Sequence, residues 1–325
     1  MAGDQRRQRS RHRGGFGRGC PVSLSRRRLL VTGTAVSVLA ACGVKPSPAR
    51  PTLSDPAEPL PPVEQRIADL EKRHNAFVGL YAQNLDSKVD LAHRDGDPFA
   101  MCSTFKSYLS ARVLQKAQAG ELRLTDTMLV DPAELKPNSP RTEPNAGQPM
   151  AIADLCAAAL QVSDNTAANM LLRTIGGPPA ITAFARSIGD DRTRLDRWET
   201  ELNSAVPGDP RDTSTPRALG GGVARVLTGD VLDGPHRTQL QDWMRANTTS
   251  SMRGGLPAGW TTADKTGSGD FASTNDVGIA FGPNGERVLL AIMTRTRSDD
   301  AQAEPLRQLI AEVATLALPE VTRPR

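Results

Sequence analysis

Residues 103–120 read STFKSYLSARVLQKAQAG and predict a helix in the middle of the chain. Leu109, Val113 and Leu114 recur at the spacing of one helical face, and Gly120 ends the pattern as a helix stop. Apolar residues on one face of a helix of this length indicate that it packs against a protein core. The segment therefore predicts a helical region around which the rest of the domain is arranged.

Strand patterns lie on both sides of this helical middle. Two further helices are predicted at Ile152–Val162 and Asn165–Ile175, the second stopped by a Gly-Gly-Pro-Pro run. Five strands are predicted at Phe77–Gln83, Val89–Ala92, Trp260–Lys265, Asp276–Phe281 and Arg287–Thr294. A helix starting near Val63 and one covering about 303–316 flank them. The short turns between strands favour an α+β fold, with an antiparallel β-sheet, terminal helices and an inserted all-helical lobe at about 101–250.

Composition and charge favour a globular domain that follows a separate leader. The chain has 325 residues, 38% of them hydrophobic, and a net charge of +4. Residues 1–41 hold nine arginines and one acid, and the rest of the chain has 31 basic against 35 acidic side chains. A basic tail that binds nucleic acid is the alternative, but the leader resembles an export signal, so no nucleic-acid partner is expected.

The leader combines two export signals. Ser25-Arg26-Arg27-Arg28-Leu29-Leu30 resembles a twin-arginine motif, and an apolar run too short to span a bilayer follows. Leu39-Ala40-Ala41-Cys42 resembles a lipobox, which implies lipidation of Cys42; an ordinary signal with an incidental cysteine is the alternative. Residues 42–62, with seven prolines, predict an extended tether. We expect the protein to be lipid-anchored to the outer face of the bacterial cytoplasmic membrane. Secretion of part of the protein is compatible with this expectation.

Ser103 and Lys106 form an S-x-x-K pattern, and a spacing of three residues puts both on one helical face. A serine hydroxyl becomes a nucleophile when a base takes its proton, and a lysine can act as that base when burial or neighbours lower its pKa. Taken alone, the pattern is more typical of an N-cap serine beside a solvent-facing lysine.

Two more polar motifs follow. Ser163-Asp164-Asn165 lies in a helix break, where the Ser163 hydroxyl could relay a proton and the Asn165 amide could hold a substrate carbonyl or Lys106; a plain helix cap is the alternative. Lys265-Thr266-Gly267 closes a predicted strand, where a cation could meet a substrate carboxylate and glycine permits close approach. The backbone N–H of Ser268 could stabilise an oxyanion; a strand that runs into a glycine turn is the alternative.

Together these three motifs, in this order, resemble the signature of class A serine β-lactamases and penicillin-binding proteins, over about residues 63–320. Glu199-Thr200-Glu201-Leu202-Asn203 resembles the class A loop, which implies that Glu199 activates a deacylating water and that Asn203 holds it. The resemblance also implies that Arg197 and Asp212 pair to close this loop. A solvated surface glutamate is the alternative for Glu199.

The resemblance implies a mechanism with four catalytic and seven substrate-binding residues. Ser103, Lys106, Ser163 and Glu199 would be catalytic, and Asn165, Asn203, Lys265, Thr266, Gly267, Ser268 and Arg307 would bind substrate. Many members of the family carry a carboxylate-binding arginine where this chain has Thr274 or Ser251, and Arg307 would replace it. The alternative is that Arg307 is an exposed charge on a helix. Asn138 lies where many members have an aromatic residue.

No metal or cofactor is expected, because the four histidines are scattered without ligand spacing. Cys102 and Cys156 are expected to be buried thiols. We expect a monomer that hydrolyses β-lactams and confers resistance. A D,D-peptidase would share the first three motifs but not Glu199. A non-hydrolytic β-lactam sensor lipoprotein would be acylated once, and a scaffold lipoprotein would carry the motifs by accident.

Overall fold

The computed structural model describes residues 61–323. Its helices are α1 (Val63–Arg73), α2 (Lys106–Gln118), α3 (Ile152–Gln161), α4 (Asn165–Ile175), α5 (Pro178–Ser187), α6 (Pro216–Thr228), α7 (Gly234–Arg245) and α8 (Arg307–Thr322). Its strands are β1 (Ala76–Asn84), β2 (Asp90–His93), β3 (Phe99–Ala100), β4 (Thr127–Leu129), β5 (Pro149–Ala151), β6 (Thr213–Ser214), β7 (Thr261–Ser268), β8 (Thr274–Phe281) and β9 (Arg287–Thr296). The predicted leader and tether residues 1–60 lie outside the described residues.

Five strands form one antiparallel sheet in the order β2-β1-β9-β8-β7. β1 pairs with β9 along its whole length, from Ala76 opposite Thr296 to Asn84 opposite Val288. The sheet therefore joins strands from the two ends of the sequence, and the helical residues between them form the inserted lobe. The predicted α+β fold is confirmed.

Both faces of the sheet are covered, and this explains the nearly continuous apolar run of β9. Val288, Leu290 and Ile292 pack with α1 and α8 on one face. Leu289, Ala291 and Met293 alternate with them and belong to the core shared with the helical lobe. Each residue of the run is buried, because successive side chains point to opposite covered faces.

Helix α6 lies between the sheet and α2, and it approaches both through glycines. A β-carbon on Gly222 would lie 1.7 Å from the hydroxyl oxygen of Tyr108 on α2. That hydroxyl donates a hydrogen bond to Asp190, at 2.7 Å, in the loop after α5. This bond ties α2, which carries the lysine of the S-x-x-K pattern, to the loop, and Gly222 on α6 leaves room for the hydroxyl that forms it.

Several element boundaries differ from the prediction. α5 starts at the two prolines that were interpreted only as a stop, because proline is well suited to the first turn of a helix. α8 starts at Arg307 and runs to Thr322, beyond the predicted end of the domain at 320. The loop at 189–216 contains only a 3-10 turn at Glu201–Ser204 and the two residues of β6.

Within residues 61–323, no helix combines the length and the apolar composition needed to cross a bilayer.

Candidate active site

Ser103 lies in a 3-10 turn, Cys102–Phe105, that leads directly into α2. The helix was predicted to start at Ser103 but starts at Lys106. Side chains three residues apart are nearly eclipsed in a 3-10 turn, so Ser103 and Lys106 still share one face. The Lys106 Nζ lies 3.0 Å from the Ser103 Oγ.

Lys106 is fully buried, and its Nζ contacts several oxygen atoms. Its Nζ donates to the carbonyl oxygen of Ser163 at 2.9 Å and to the Asn165 Oδ1 at 2.7 Å, and it lies 2.9 Å from the Glu199 Oε1. Burial lowers the pKa of Lys106, although the charge of Glu199 acts in the opposite direction. The lowered pKa favours the neutral amine beside the Ser103 hydroxyl, which is the form that a general base requires.

Glu199 is 1% exposed and contacts the same hydroxyl. Its Oε1 accepts a hydrogen bond from the Ser103 Oγ at 3.2 Å, and its Oε2 accepts one from the Asn203 Nδ2 at 2.6 Å. The alternative of a solvated surface acid is therefore wrong. Lys106 and Glu199 therefore both contact the Ser103 hydroxyl, and each could take its proton.

Asn169, which was not predicted, holds the backbone of Glu199 from both sides. Its Oδ1 accepts from the Glu199 N at 3.0 Å, and its Nδ2 donates to the Glu199 O at 2.9 Å. Asn169 follows Asn165 by four residues on α4 and therefore lies on the same helical face. This spacing is the sequence signal that could have identified it.

Arg197 and Asp212 pair across the loop that carries Glu199, as the resemblance implied. The Arg197 Nε donates to the Asp212 Oδ2 at 2.5 Å, and the Asp212 Oδ1 accepts from the backbone N of Asp196 and Arg197. The carbonyl oxygen of Asp212 also accepts from the Met101 N at 2.9 Å. Asp212 thus connects two parts of the loop, Asp196–Arg197 and its own position, to Met101, which lies two positions before Ser103.

The Ser163 hydroxyl lies between two lysines. The Lys265 Nζ donates to the Ser163 Oγ at 3.1 Å, and the Lys106 Nζ donates to the same atom at 3.3 Å. Asp164, not Ser163, caps α4, by accepting from the Ala167 N. Burial, and then the charge of Lys106, lower the pKa of Lys265 to about 7.

The Lys-Thr-Gly motif lies inside β7, which was predicted to end at Lys265 but continues to Ser268. A β-carbon on Gly267 would lie 2.6 Å from the Met101 O and 3.1 Å from the Ser103 N. Only glycine permits this approach of β7 to the nucleophile turn. The nucleophile turn, which carries the backbone N–H of Ser103, therefore contacts the end of β7, which carries the backbone N–H of Ser268.

Several of these groups border a cavity of about 780 Å³, which we call the front cavity, whereas Lys106, Glu199 and Lys265 are buried and contact its lining residues without lining it themselves. Ser103, Ser163, Thr266 and Ser268 line it together with Arg307, so the structure brings Arg307 to the same cavity as the predicted nucleophile. Asn138, Thr274 and Ser251 also line it. Thr249, which was not predicted, contacts the Thr266 hydroxyl at 2.5 Å, and no sequence pattern marks it.

The buried thiols Cys102 and Cys156 are both free, as predicted. Burial raises the pKa of Cys102, and burial raises that of Cys156 to about 12. Neither thiol is thereby a ready nucleophile at neutral pH. Among the described residues, no group of three or more His, Cys, Asp or Glu side chains is arranged to bind a metal ion.

Comparisons with known proteins agree with this geometry. Residues 62–319 match the model of the β-lactamase enzyme family. The chain is 40% identical to the β-lactamase AST-1 of Nocardia asteroides, over 90% of this chain and 95% of that protein. It is 41% identical to the carbapenem-hydrolysing β-lactamase KPC of Klebsiella oxytoca, over 79% of this chain and 88% of that one.

Solved structures give the same result. A variant of the class A β-lactamase of the last common ancestor of Gram-negative bacteria superposes with a TM-score of 0.75 at 44% identity, covering 78% of this chain and 96% of that chain. A β-lactamase from Desulfarculus baarsii superposes with a TM-score of 0.76 at 42% identity, covering 78% and 95%. The chain belongs to the β-lactamase enzyme family, as a class A serine β-lactamase.

Proposed function

We propose that this protein hydrolyses β-lactam antibiotics through an acyl-enzyme on Ser103, which is released by water that Glu199 activates. The protein is a β-lactam hydrolase of the kind that confers resistance. The observation that carries the two-step mechanism is the contact of the Glu199 carboxylate with both the Ser103 hydroxyl and Lys106.

In acylation, the Ser103 Oγ attacks the ring carbonyl carbon, and the bond from this carbon to the ring nitrogen breaks. The proton of Ser103 has two acceptors within hydrogen-bond distance, Lys106 and Glu199. The oxyanion is stabilised by the backbone N–H groups of Ser103 and Ser268. Ser163 supplies the proton for the leaving nitrogen, and its contacts with Lys106 and Lys265 allow its own proton to be replaced.

In deacylation, Glu199 takes a proton from water, and the resulting hydroxide attacks the ester carbonyl carbon. The bond from this carbon to the Ser103 Oγ then breaks, and Glu199 returns the proton to the Oγ, which it contacts in the free enzyme. The Asn203 Oδ1 is buried and has no hydrogen-bond partner within residues 61–323, so it offers an acceptor beside the Glu199 Oε2. A water that donates to both groups would be held on the side of Ser103 where Glu199 lies. This arrangement supports hydrolysis over a single irreversible acylation.

Recognition of the substrate carboxylate is assigned to Lys265, Thr266 and Arg307, with Gly267 and Ser268 along the strand edge. Arg307 lines the front cavity and forms no ion pair with any residue of the described part. Its guanidinium group is therefore available to an anionic substrate. Asn165 remains assigned to substrate binding, and its Oδ1 also fixes Lys106.

The experiment that tests the mechanism uses the full chain and a chromogenic cephalosporin. The wild type should give many turnovers, and Ser103→Ala should give neither turnover nor a burst. Glu199→Ala should accumulate a covalent adduct on the intact protein, visible by mass spectrometry, because the deacylating base is lost while Lys106 can still take the proton of Ser103. Glu201→Ala, which changes a nearby exposed acid in the same loop, is the control and should turn over normally.

Two outcomes would contradict the proposal. Normal turnover by Glu199→Ala would remove Glu199 from the mechanism. A single stoichiometric burst by the wild type would favour the D,D-peptidase or sensor alternatives.

We also propose that the chain is exported through its twin-arginine motif, lipid-anchored at Cys42 and monomeric. The apolar run before Cys42 and the proline-rich residues after it support the anchor. Cys42→Ala should move the protein from the membrane fraction to the soluble fraction of cells. Retention in the membrane fraction would contradict lipidation, and a dimer mass in light scattering of the released protein would contradict the monomer.

A further inference from the structure

A second cavity, which we call the rear cavity, lies behind the loop that carries Glu199. Its volume is about 460 Å³, within the range of small-molecule sites. It is bordered by residues 205–211 of the loop, by residues 98–100 before the nucleophile turn and by residues of α5 and β9. Within the described chain, the front and rear cavities share no lining residue.

The lining of the rear cavity is strongly basic. Two aspartates, Asp191 and Asp209, face six arginines: Arg186, Arg192, Arg194, Arg197, Arg211 and Arg295. Three of the arginines are already neutralised, in the pairs Arg194–Asp196, Arg197–Asp212 and Arg211–Asp209. The positive excess therefore rests on the other three, reduced by the one negative charge of Asp191.

Arg186, Arg192 and Arg295 form no ion pair with any carboxylate among residues 61–323. Arg186 donates instead to the carbonyl oxygens of Asp190 and Thr193, at 2.6 and 2.8 Å. Because those acceptors are neutral carbonyl groups, the guanidinium group of Arg186 is not paired with a carboxylate in the described part of the chain. The three arginines come from three segments of the chain: α5, the loop after it, and β9.

Arg295 adds a second, independent sign of excess positive charge. Its guanidinium group lies 4.3 Å from the centre of the Phe77 ring, and Arg297 lies 4.2 Å from the same ring. Burial, and then the charges of Arg297 and Arg94, lower the pKa of Arg295. Glu71 pairs with Arg94 and Arg297. Arg295 is thus held close to like charges, a cost that a bound anion would offset.

We propose that the rear cavity binds a small polyanion of the phosphate or polycarboxylate type, held by Arg186, Arg192 and Arg295. The guanidinium fork matches the geometry of phosphate and carboxylate oxygens, and several guanidinium groups around one cavity favour a ligand with more than one negative charge. Arg197 lines the same cavity and pairs with Asp212. A bound polyanion therefore links β9 to the loop that positions Glu199.

The test measures thermal unfolding of the full chain with increasing pyrophosphate. A ligand that binds only the native state raises the unfolding midpoint, and the size of the rise gives its affinity. The wild type should show this rise, and Arg192→Glu should bind pyrophosphate at least about tenfold more weakly, since it turns an attractive charge into a repulsive one. Arg192 is exposed and its guanidinium group makes no hydrogen bond within residues 61–323, so this variant should fold normally.

Two charge-matched controls locate the site. Arg123→Glu makes the same change on a distant exposed arginine, and Arg307→Glu makes it in the front cavity. Both should keep the wild-type rise. The nine arginines before residue 42 are present in every variant, so anion binding there cancels in the comparison. Titration calorimetry at a temperature where all variants are folded should give the same order of affinities.

The proposal would be overturned if pyrophosphate did not raise the unfolding midpoint of the wild type, or if it raised the midpoint of Arg192→Glu by the same amount. It would also be overturned by a rise that Arg307→Glu abolishes and Arg192→Glu keeps, because pyrophosphate would then bind in the front cavity.

Discussion

At the scale of single residues, the central feature is a hydroxyl, that of Ser163, between two buried ammonium groups. Two cations close to one oxygen disfavour each other's charge, and burial disfavours both. The pKa of Lys265 falls to about 7 for these two reasons, burial first and Lys106 second. The charge state of Lys265 in the substrate-free enzyme is therefore sensitive to pH near neutrality.

This sensitivity predicts a pH effect on substrate capture. Lys265 is charged below about pH 7 and loses its charge as pH rises through that value. We expect kcat/KM for a penicillin to fall as pH rises above neutrality, because the carboxylate of the substrate loses a cationic partner. A neutral methyl ester of the same penicillin is the control and should show a smaller fall. Equal falls for acid and ester would assign the effect to another group.

The sequence predicted the chemical residues of the site but not those that hold them in place. Ser103, Lys106, Ser163, Glu199 and Lys265 could be named because each lies in a recognisable motif. Asn169 and Thr249 lie in no such motif, and their roles depend on contacts between segments that only the folded chain brings together. Spacing on one helix gives an indication of Asn169, and nothing comparable exists for Thr249.

At the scale of elements, the loop at 189–216 depends on one carboxylate. Asp212 is buried and accepts hydrogen bonds from the Arg197 side chain and from the backbone of Asp196 and Arg197. Glu199 lies two residues beyond Arg197, so its position follows from this cluster. The sequence could suggest the Arg197–Asp212 pair by resemblance, but the backbone bonds to Asp212 are a property of the folded loop.

Asp212→Ala should slow deacylation more than acylation. A displacement of about 1 Å at a catalytic group can reduce a rate roughly 100-fold, and the loss of Asp212 frees the loop to move by such an amount. Stopped-flow measurements should show a burst that persists and a steady-state rate that falls. Asp191→Ala, at an exposed position of the same loop, is the control. Equal losses in the burst and in the steady-state rate would contradict this account.

Element boundaries were the least predictable part of the fold. The first turn of the nucleophile segment is 3-10 and lies against Gly267, and no local pattern in the sequence indicates either feature. β7 extends through the motif that was expected to end it, since its last residues still pair with β8. The start of α5 at Pro178 has a local cause, but an ambiguous one. A proline is compatible both with the end of the preceding helix and with the first turn of the next.

At the scale of the whole molecule, Glu71 joins segments from both ends of the sequence. It lies on α1, accepts from the Val78 N on β1 at 2.9 Å, and pairs with Arg94 and Arg297. Burial alone would raise the pKa of Glu71, but the hydrogen bonds from Arg94 and Val78 and the charge of Arg94 outweigh it, so the pKa lies below its usual value. Its ionised form therefore stabilises the fold.

Glu71→Gln should lower the melting temperature at neutral pH by roughly 2–5 °C, given about 1–2 kcal/mol for a buried carboxylate whose partners Arg94 and Arg297 are more than a third exposed. Because the folded-state pKa is depressed, the contribution of Glu71 is present above its unfolded pKa and lost as pH falls through the folded one. The difference between wild type and variant should thus shrink in acid. Glu143→Gln, at an exposed acid, should change the melting temperature little at any pH. A difference that stays constant into acid would contradict this role.

The pairing of β1 with β9 has a consequence for the order in which the protein can be made. β1 is synthesised early, yet its central neighbour is the last strand to leave the ribosome, more than 200 residues later. A nascent or prematurely terminated chain thus exposes an apolar strand edge that invites proteolysis and aggregation. Quality control in the cell should therefore discard any product that stops short of β9, and active enzyme should appear only after translation has finished.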